Sequence, residues 1–421
     1  MALSKAARNM KVLFLGSAQS PSWPGGEGNL ARILRPALIE KGLGVQAAWL
    51  ERAPTKQRIF NPSSTPMSIA NSEVVDSYRR CIVKRQPDVV ITSFDYDLSA
   101  VLAGIQTRTP TIVQALSPWP VCPKDDLFIS KKQIRCDGPN LACGQCMIQL
   151  SENRPINEFS STRFGLASLS ALSAMKIKKI KRIISALNSA SAIVSDNLFL
   201  KKKMEQIGYN SSKIRLIYNG VDLNKSNPVG KERKSKEKTV LFLAYQPTEH
   251  RRALKGCHHF VQLARKLKPE FPDVRFLWVG QQQGQSEDSF EAKSYIWDDQ
   301  ELQETYRSCY LLLLPSLWPE TISYAAQEVM AHGKPVVAYD TGANKEITIH
   351  KETGLLAEWG NIEQLTSYVR MLLLDEKEAE RMGNNARILA QTMFGVDQMA
   401  DSYVRLIEEV SQMPTKSSAS S

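Results

Sequence analysis

Two glutamates, Glu320 and Glu328, stand in the segment of this chain richest in chemistry, PSLWPETISYAAQEVMAHGKPVVAYDTGANKEI over Pro315–Ile347. An apolar, strand-like run at Tyr310–Leu314 leads into it. The pattern predicts a helix from near Thr321 to about His332, closed by Gly333. Eight residues are just over two helical turns, which puts the two carboxylates within about 45° of one face and roughly 12 Å apart along the axis. Between them the N–H groups of Thr321, Ile322 and Ser323 form an anion site at the positive end of the helix dipole. A phosphate there, with a carboxylate on either side, fits a nucleotide-sugar: sugar at Glu320, ribose at Glu328. The plainer alternative has Glu320 complementing the dipole and Glu328 on the surface.

Four cysteines, Cys122, Cys136, Cys143 and Cys146, form a second constellation, spaced C-x(13)-C-x(6)-C-x(2)-C. Four thiolates in this arrangement suit a closed tetrahedral zinc, and the polar, aromatic-poor segment around them needs such folding energy. An iron–sulfur cluster and free or redox-active thiols are the alternatives. Cys81, Cys257 and Cys309 sit in apolar helical patterns and read as buried small hydrophobes. A third constellation is AMKIKKIKRII, Ala174–Ile184, in which basic and apolar residues interleave. It reads either as a basic amphipathic helix on an anionic bilayer or as a core helix with a solvated basic face.

The elements that must position these groups follow a repeating scheme. Apolar runs at Lys11–Gly16, Val45–Leu50, Asp88–Ser93, Thr111–Leu116, Ala192–Ser195 and Lys213–Tyr218 alternate with helical-period stretches such as Asn29–Lys41, Ser72–Arg85 and Asn197–Ile207. Strands apolar throughout and separated by helices predict an α/β, parallel sheet covered on both faces. The theme recurs from Val240, Val274, Tyr310 and Pro335. Two doubly wound Rossmann-like domains are expected: residues 1–222 with a Cys-rich insert at 122–146, a polar linker at 223–238, a second domain at 239–395, a closing helix at 396–413 and a frayed tail at 414–421. In such sheets ligands bind at the carboxyl ends of the strands, so two facing domains make a cleft for two substrates.

Composition bounds the rest. With 43% apolar and 23% charged residues in 421, the chain is of ordinary globular make-up, not disordered, collagen-like or coiled-coil. No apolar run reaches the roughly 18 residues that span a bilayer. No secretion signal is evident, so a cytoplasmic, reducing compartment is expected. The net charge of +11 is segregated, +14 over residues 1–222 and −3 over 223–421. That points to an acidic partner for the first half: an anionic membrane surface on its inner face, or an acidic glycan or lipid acceptor. Nucleic acid is not expected, because no aromatic interleaving or binding motif accompanies the charge.

The Pro315–Ile347 stretch resembles the signature of the retaining glycosyltransferases of family 4, which have the GT-B fold. Their pattern is Pro-Ser, a Glu, seven residues, Glu-Ala-Met-Ala, Gly, Pro-Val-Val, a glycine pair and a further Glu. Here Glu320 and Glu328 supply the pair, followed by Met330-Ala331, Gly333-Lys334-Pro335-Val336-Val337, Thr341-Gly342-Ala343 and Glu346. Val329 for Ala, Ala343 for Gly and one extra residue before Glu320 are the departures. Further likeness lies in SPSWPGGEGN from Ser20, where Gly25 and Gly26 would let backbone approach a diphosphate. It continues in IRLIYNGVD, Ile214–Asp222, in FLAYQPTEHRRALKG, Phe242–Gly256, and in the closing helix from Phe394.

The resemblance implies transfer of a sugar, with retention, from a UDP- or GDP-linked donor to a glycan, lipid or small-molecule acceptor in polysaccharide or glycoconjugate biosynthesis. It implies Lys255 and an arginine gripping the donor diphosphate. Tyr245 stands where that arginine is usual, so Arg251 or, preferably, Arg252 takes the role. Glu320, Lys255 and Arg252 are the expected catalytic groups, with no catalytic metal. A subset of the family has similar cysteines. The family's histidine after the fourth strand is absent: Leu116 or Ser117 stands there, and all five histidines lie from His250 onward. That departure keeps two alternatives open, a non-catalytic nucleotide-sugar-binding protein and a nucleotide-sugar hydrolase or epimerase.

Overall fold

A computed structural model describes residues 10–16, 26–49, 70–93, 98–122, 127–129, 134–136, 138–139, 143, 163–226, 237–244, 248–280 and 286–413. The chain forms two compact units. One gathers the residues up to Tyr218, apart from 132–135, together with those from Asp397 onward; the other holds Asn219–Val396 and residues 132–135.

In the first unit the strands are β1 (Lys11–Leu15), β2 (Gly44–Ala48), β3 (Val89–Ser93), β4 (Thr111–Ala115), β5 (Ala192–Ser195) and β6 (Ile214–Leu216). They pair in the order β2-β1-β3-β4-β5-β6, all parallel. Helices α1 (Gly26–Glu40), α2 (Ser72–Arg85), α3 (Ser99–Gln106), α4 (Arg163–Ser189) and α5 (Leu198–Gln206) make the crossovers. Every residue of β3 and β4 is buried, as a strand covered on both faces requires. In α1 the residues Leu30, Leu34 and Leu38 recur every fourth position and are almost wholly buried, which fixes the face that packs on the sheet.

The second unit repeats the plan. Its strands are β7 (Thr239–Leu243), β8 (Arg275–Val279), β9 (Glu291–Lys293), β10 (Leu311–Leu314), β11 (Val336–Tyr339) and β12 (Gly354–Ala357), in the order β9-β8-β7-β10-β11-β12. Around them lie α6 (Glu249–Leu254), α7 (Cys257–Leu267), α8 (Asp299–Ser308), α9 (Tyr324–Ala331), α10 (Asn344–Ile347), α11 (Ile362–Leu374) and α12 (Glu376–Met393). The chain begins this sheet in its middle, winds outward to β9, then crosses back to β10 beside β7. The reversal creates a switch point between β7 and β10, and ligands in open α/β sheets bind outside the carboxyl ends of the strands at such a point.

The last helix, α13 (Val396–Ser411), packs in the first unit. Its buried side Met399, Ala400, Tyr403, Val404, Leu406, Ile407 and Val410 follows helical spacing. The Tyr403 hydroxyl accepts a hydrogen bond from the Gln114 side-chain amide of β4 at 2.9 Å, and Ser93 of β3 donates to the Gln114 carbonyl at 2.8 Å. At the rim, Lys41 meets Asp401 at 2.8 Å and Asp397 at 3.2 Å, and Arg215 pairs with Glu409. Among the described residues no helix is long and apolar enough to cross a membrane.

Candidate functional site

The two strands that flank the switch point in the second unit each deliver one charged group. Lys255 closes α6 after β7, and Glu320 stands in the loop after β10. Their side chains meet, with Lys255 Nζ 2.6 Å from Glu320 Oε1. The Glu320 side chain is 7% exposed and that of Lys255 27%, so the carboxylate sits inside and the ammonium opens to solvent. Ser316 Oγ donates to the same Glu320 oxygen at 2.6 Å, and the Lys255 ammonium lies 5.2 Å from the centre of the Trp318 ring. A cation on an aromatic face adds about 0.5–2 kcal/mol to its placement.

The backbone makes this meeting unavoidable. Leu317 N–H donates to the Leu254 carbonyl at 2.8 Å, stapling the loop after β10 to the end of α6. Gly256 has φ +68°, and a Cβ there would fall 1.8 Å from the Pro315 carbonyl oxygen. Gly342, at φ +56°, lies so close that a Cβ would meet the Glu320 carbonyl oxygen at 2.1 Å. Both glycines permit backbone approaches that no side chain allows.

The helix of the motif starts later than its sequence pattern predicts, which corrects the placement of the anion site. α9 begins at Tyr324, and Thr321, Ile322 and Ser323 precede it. Two interactions explain the shift. The Glu320 carbonyl is taken by the Ala343 N–H at 2.8 Å, so it cannot serve as a helical acceptor. Ser323 is extended and accepts from the Ala326 N–H at 3.3 Å as the N-cap, a role serine favours. The N–H groups of the first turn therefore belong to Tyr324 and Ala325, not to Thr321, Ile322 and Ser323. Glu320 is outside the helix, and the two carboxylates do not share a helical face.

Glu328, on α9, belongs to a different group of side chains. Tyr306 of α8 donates its hydroxyl to the Glu328 carboxylate, with Lys225 and Asp299 near enough to act on its charge. Lys225 is itself paired with Asp299 at 2.7 Å. Burial dominates, raising the Glu328 carboxyl to about 7 against the opposing pull of the Tyr306 hydrogen bond and of Lys225. Burial likewise drives the Tyr306 phenol well above its ordinary range. Such a carboxyl changes charge near neutrality.

Arg251 and Arg252 ride on α6, half-buried, one turn before Lys255. Gly26 is the first residue of α1; Gly25 lies outside the described residues. The structure thus brings Lys255 to Glu320 and sends Glu328 to Tyr306. Ser316, Trp318 and Tyr306 escaped the reading of the sequence. Ser316 was visible in the Pro-Ser of the motif, but nothing in the spacing marks Trp318 or Tyr306, which come from other parts of the loop and from another helix.

The zinc expectation rests on four cysteines, three of which are described. Cys122 and Cys143 are buried and Cys136 is half-buried with its thiol toward the Gly138 carbonyl at 3.4 Å. No group of three or more cysteine, histidine or acidic side chains gathers to hold a metal among the described residues. Cys146 lies outside them. Cys257 and Cys309 are buried as expected, which raises both thiols to about 12.

Residues 228–389 match the model of the family described as glycosyl transferases group 1. Among curated proteins, the spore coat protein SA of Bacillus subtilis is 23% identical over 228 residues, 47% of this chain and 59% of that protein. The chain thus spans just over half the length of that relative. Among solved structures, the sucrose-phosphate synthase of Thermosynechococcus elongatus superposes with a TM-score of 0.66 at 17% identity, over 95% of this chain and 99% of that one. The Anabaena protein HepE, solved in complex with UDP, superposes with a TM-score of 0.62 at 15% identity, over 95% of this chain and all of that one. The two six-stranded parallel sheets and these neighbours make the fold GT-B.

Proposed function

We propose, from the premise that this chain belongs to the glycosyl transferases of group 1 through residues 228–389, that it moves a sugar with retention from a nucleoside-diphosphate sugar to an acceptor. The observation that carries this reading is the Lys255–Glu320 pair at the switch point, locked by Ser316 and by the close approach of Gly342. In the family the departing diphosphate accumulates charge as the sugar leaves, and preorganised cations and amides supply most of the catalysis. Lys255, with Arg252 and Arg251 a turn before it, meets that charge. The Tyr324 and Ala325 N–H groups at the start of α9 contribute the amides. Glu320 faces the sugar and Glu328 the ribose.

In the free protein Glu320 holds Lys255, so an entering diphosphate competes with the carboxylate for the ammonium. The exposed side of Lys255 and its perch on Trp318 let it turn without leaving the ring. A UDP-linked donor is supported by the UDP-bound neighbour, and a GDP-linked donor is the alternative. The acceptor is a glycan, a lipid or a small molecule. The +14 charge of residues 1–222 supports an anionic one, with the protein in the cytoplasm and associated peripherally with the membrane's inner face.

The experiment is a panel of UDP- and GDP-hexoses read by nucleotide release and by thermal shift, with Glu320→Gln alongside. Donor at 100 times its dissociation constant adds about 2.7 kcal/mol to stability. The expected result is stabilisation by one nucleotide class in both proteins and turnover in the wild type alone. Equal turnover in Glu320→Gln sinks the assignment. Binding without turnover on any acceptor favours a non-catalytic binding protein, and rapid donor loss without acceptor favours a hydrolase.

A further inference from the structure

The Glu320 carboxylate takes both of its hydrogen bonds on one oxygen. Lys255 Nζ and Ser316 Oγ each lie 2.6 Å from Oε1, and among the described residues nothing donates to Oε2. Glu320 is 5% exposed, and neither carboxylate oxygen is both buried and unpartnered, so the part that stays open includes Oε2.

The two partners of Oε1 differ in their freedom. Ser316 is 2% exposed, and the backbone on either side of it is clamped. Gly256 presses on the Pro315 carbonyl, the Leu317 N–H donates to the Leu254 carbonyl at 2.8 Å, and the Trp359 indole N–H donates to the Leu317 carbonyl at 2.8 Å. Lys255 reaches Oε1 from the end of a four-carbon stem, and its side chain is 27% exposed. A lysine regains many rotamers on letting go, whereas a serine on a fixed backbone has few to regain.

Packing alone does not ask for a serine at position 316. Alanine would fill the same place, and a buried hydroxyl costs stability unless it is hydrogen-bonded. In the free protein its bond is the second one on an oxygen that already has an ammonium. The bond becomes decisive when the ammonium leaves. An entering diphosphate draws Lys255 off Oε1, and without Ser316 the carboxylate would then be an inward charge with no donor, free to turn or to take up a proton. With Ser316 still on Oε1 the group keeps its charge and its orientation. Oε2 can then accept a second hydrogen bond, and the carboxylate again has two. An ionised carboxylate only accepts, so the partner at Oε2 must be a donor such as a sugar hydroxyl.

We propose that Ser316 is the positioning residue of Glu320: it retains Oε1 after the donor diphosphate has taken Lys255, and so presents Oε2 to a hydroxyl of the donor sugar. The assignment rests on the transferase reading and deepens it. Lys255 and Ser316 act in turn, the first guarding the carboxylate in the free protein and the second holding it during transfer.

The test is calorimetric titration of the full-length chain with UDP, UDP-glucose, GDP and GDP-mannose. The wild type is expected to bind one nucleotide-sugar more tightly than its parent nucleotide. Ser316→Ala should weaken the nucleotide-sugar about tenfold, as loss of a charge-assisted hydrogen bond does, and change the parent nucleotide by less than about twofold. Ser316→Thr, which keeps the hydroxyl, should restore the difference. In a Glu320→Gln background Ser316→Ala should have no further effect on it, because the serine acts through that carboxylate. Should Ser316→Ala fail to fold, Ser316→Cys, with a weak donor of similar size, is expected to show the same loss. A serine that merely shapes the loop would weaken nucleotide and nucleotide-sugar alike, and that result would overturn the proposal. So would a sugar contribution that survives Ser316→Ala, that is absent in the wild type, or that falls equally in the Glu320→Gln background; in each case nucleotide binding would leave the transferase reading standing. Binding of neither nucleotide class would refute that reading and the role of Ser316 with it.

Discussion

Removing the Lys255 ammonium leaves the Glu320 carboxylate inside the protein with the Ser316 hydroxyl. Lys255→Met should therefore cost about 1–3 kcal/mol in urea unfolding, less than a fully buried pair because the lysine is partly solvated. The double variant Lys255→Met with Glu320→Gln should recover most of that loss; strict additivity would show that the two side chains do not act as a pair. Glu328 predicts a pH effect of definite sign. Its carboxyl is raised from 4.5 to about 7, so the folded state keeps a proton that the unfolded chain releases. Its contribution is full below the unfolded value and is lost as pH rises through 7. Glu328→Gln should abolish a decline of at most about 3 kcal/mol between pH 4.5 and 7.5, read from denaturant midpoints at each pH. An unchanged pH profile would mean that the carboxyl is not desolvated.

At the scale of elements, the loop between β10 and α9 is held by one glycine contact and one cap, and they should differ in weight. Gly342→Ala places a methyl on the Glu320 backbone at a positive φ, and should cost more than about 3 kcal/mol. Ser323→Ala removes only the cap on Ala326 and should cost about 1 kcal/mol. Thermal unfolding that ranks them the other way would place the restraint in the helix rather than in the glycine contact. The same loop marks the limit of what the sequence tells. The apolar runs located β1, β3, β4, β5, β7 and β10 nearly to the residue, because strands buried on both faces have a composition no helix shares. β9, with the sequence Glu-Ala-Lys, escapes a search for apolar runs because an edge need not be apolar, and β12, Gly-Leu-Leu-Ala, because four residues are too few for a pattern to mark. The Lys255–Glu320 site was legible as a motif, yet the start of α9 was not. It depends on Ala343 capturing the Glu320 carbonyl, a contact made across more than twenty residues that no local spacing records. For α4 the sequence leaves a membrane-surface helix and a core helix with a solvated basic face open, and the burial of Ile180, Ile183 and Leu187 favours the second: alternating basic and apolar residues fit either until the sheet beside the helix is known.

At the scale of the whole molecule, the net charge lies on the first unit's stretch of sequence and the family match on the second's. Yet the first unit is not sequence-continuous. Tyr403 on α13 completes the polar chain from Ser93 through Gln114 inside it. Tyr403→Phe should leave the Gln114 amide short of an acceptor and cost about 1–2 kcal/mol. The denaturant midpoint measured by a probe in the first unit should move, and one in the second should not; movement of both together would mean that the units unfold as one. The position of α13 also orders events during synthesis. Roughly 180 residues separate Tyr218 from Asp397. At about 5–20 residues per second, a ribosome takes about 9–36 s to cross that interval. Throughout it the first unit waits with the seat of α13 uncovered, while the second has all of its own chain once Val396 emerges. The half made first is thus the half finished last, and a chain stalled anywhere before Asp397 displays an apolar groove shaped for its own missing end.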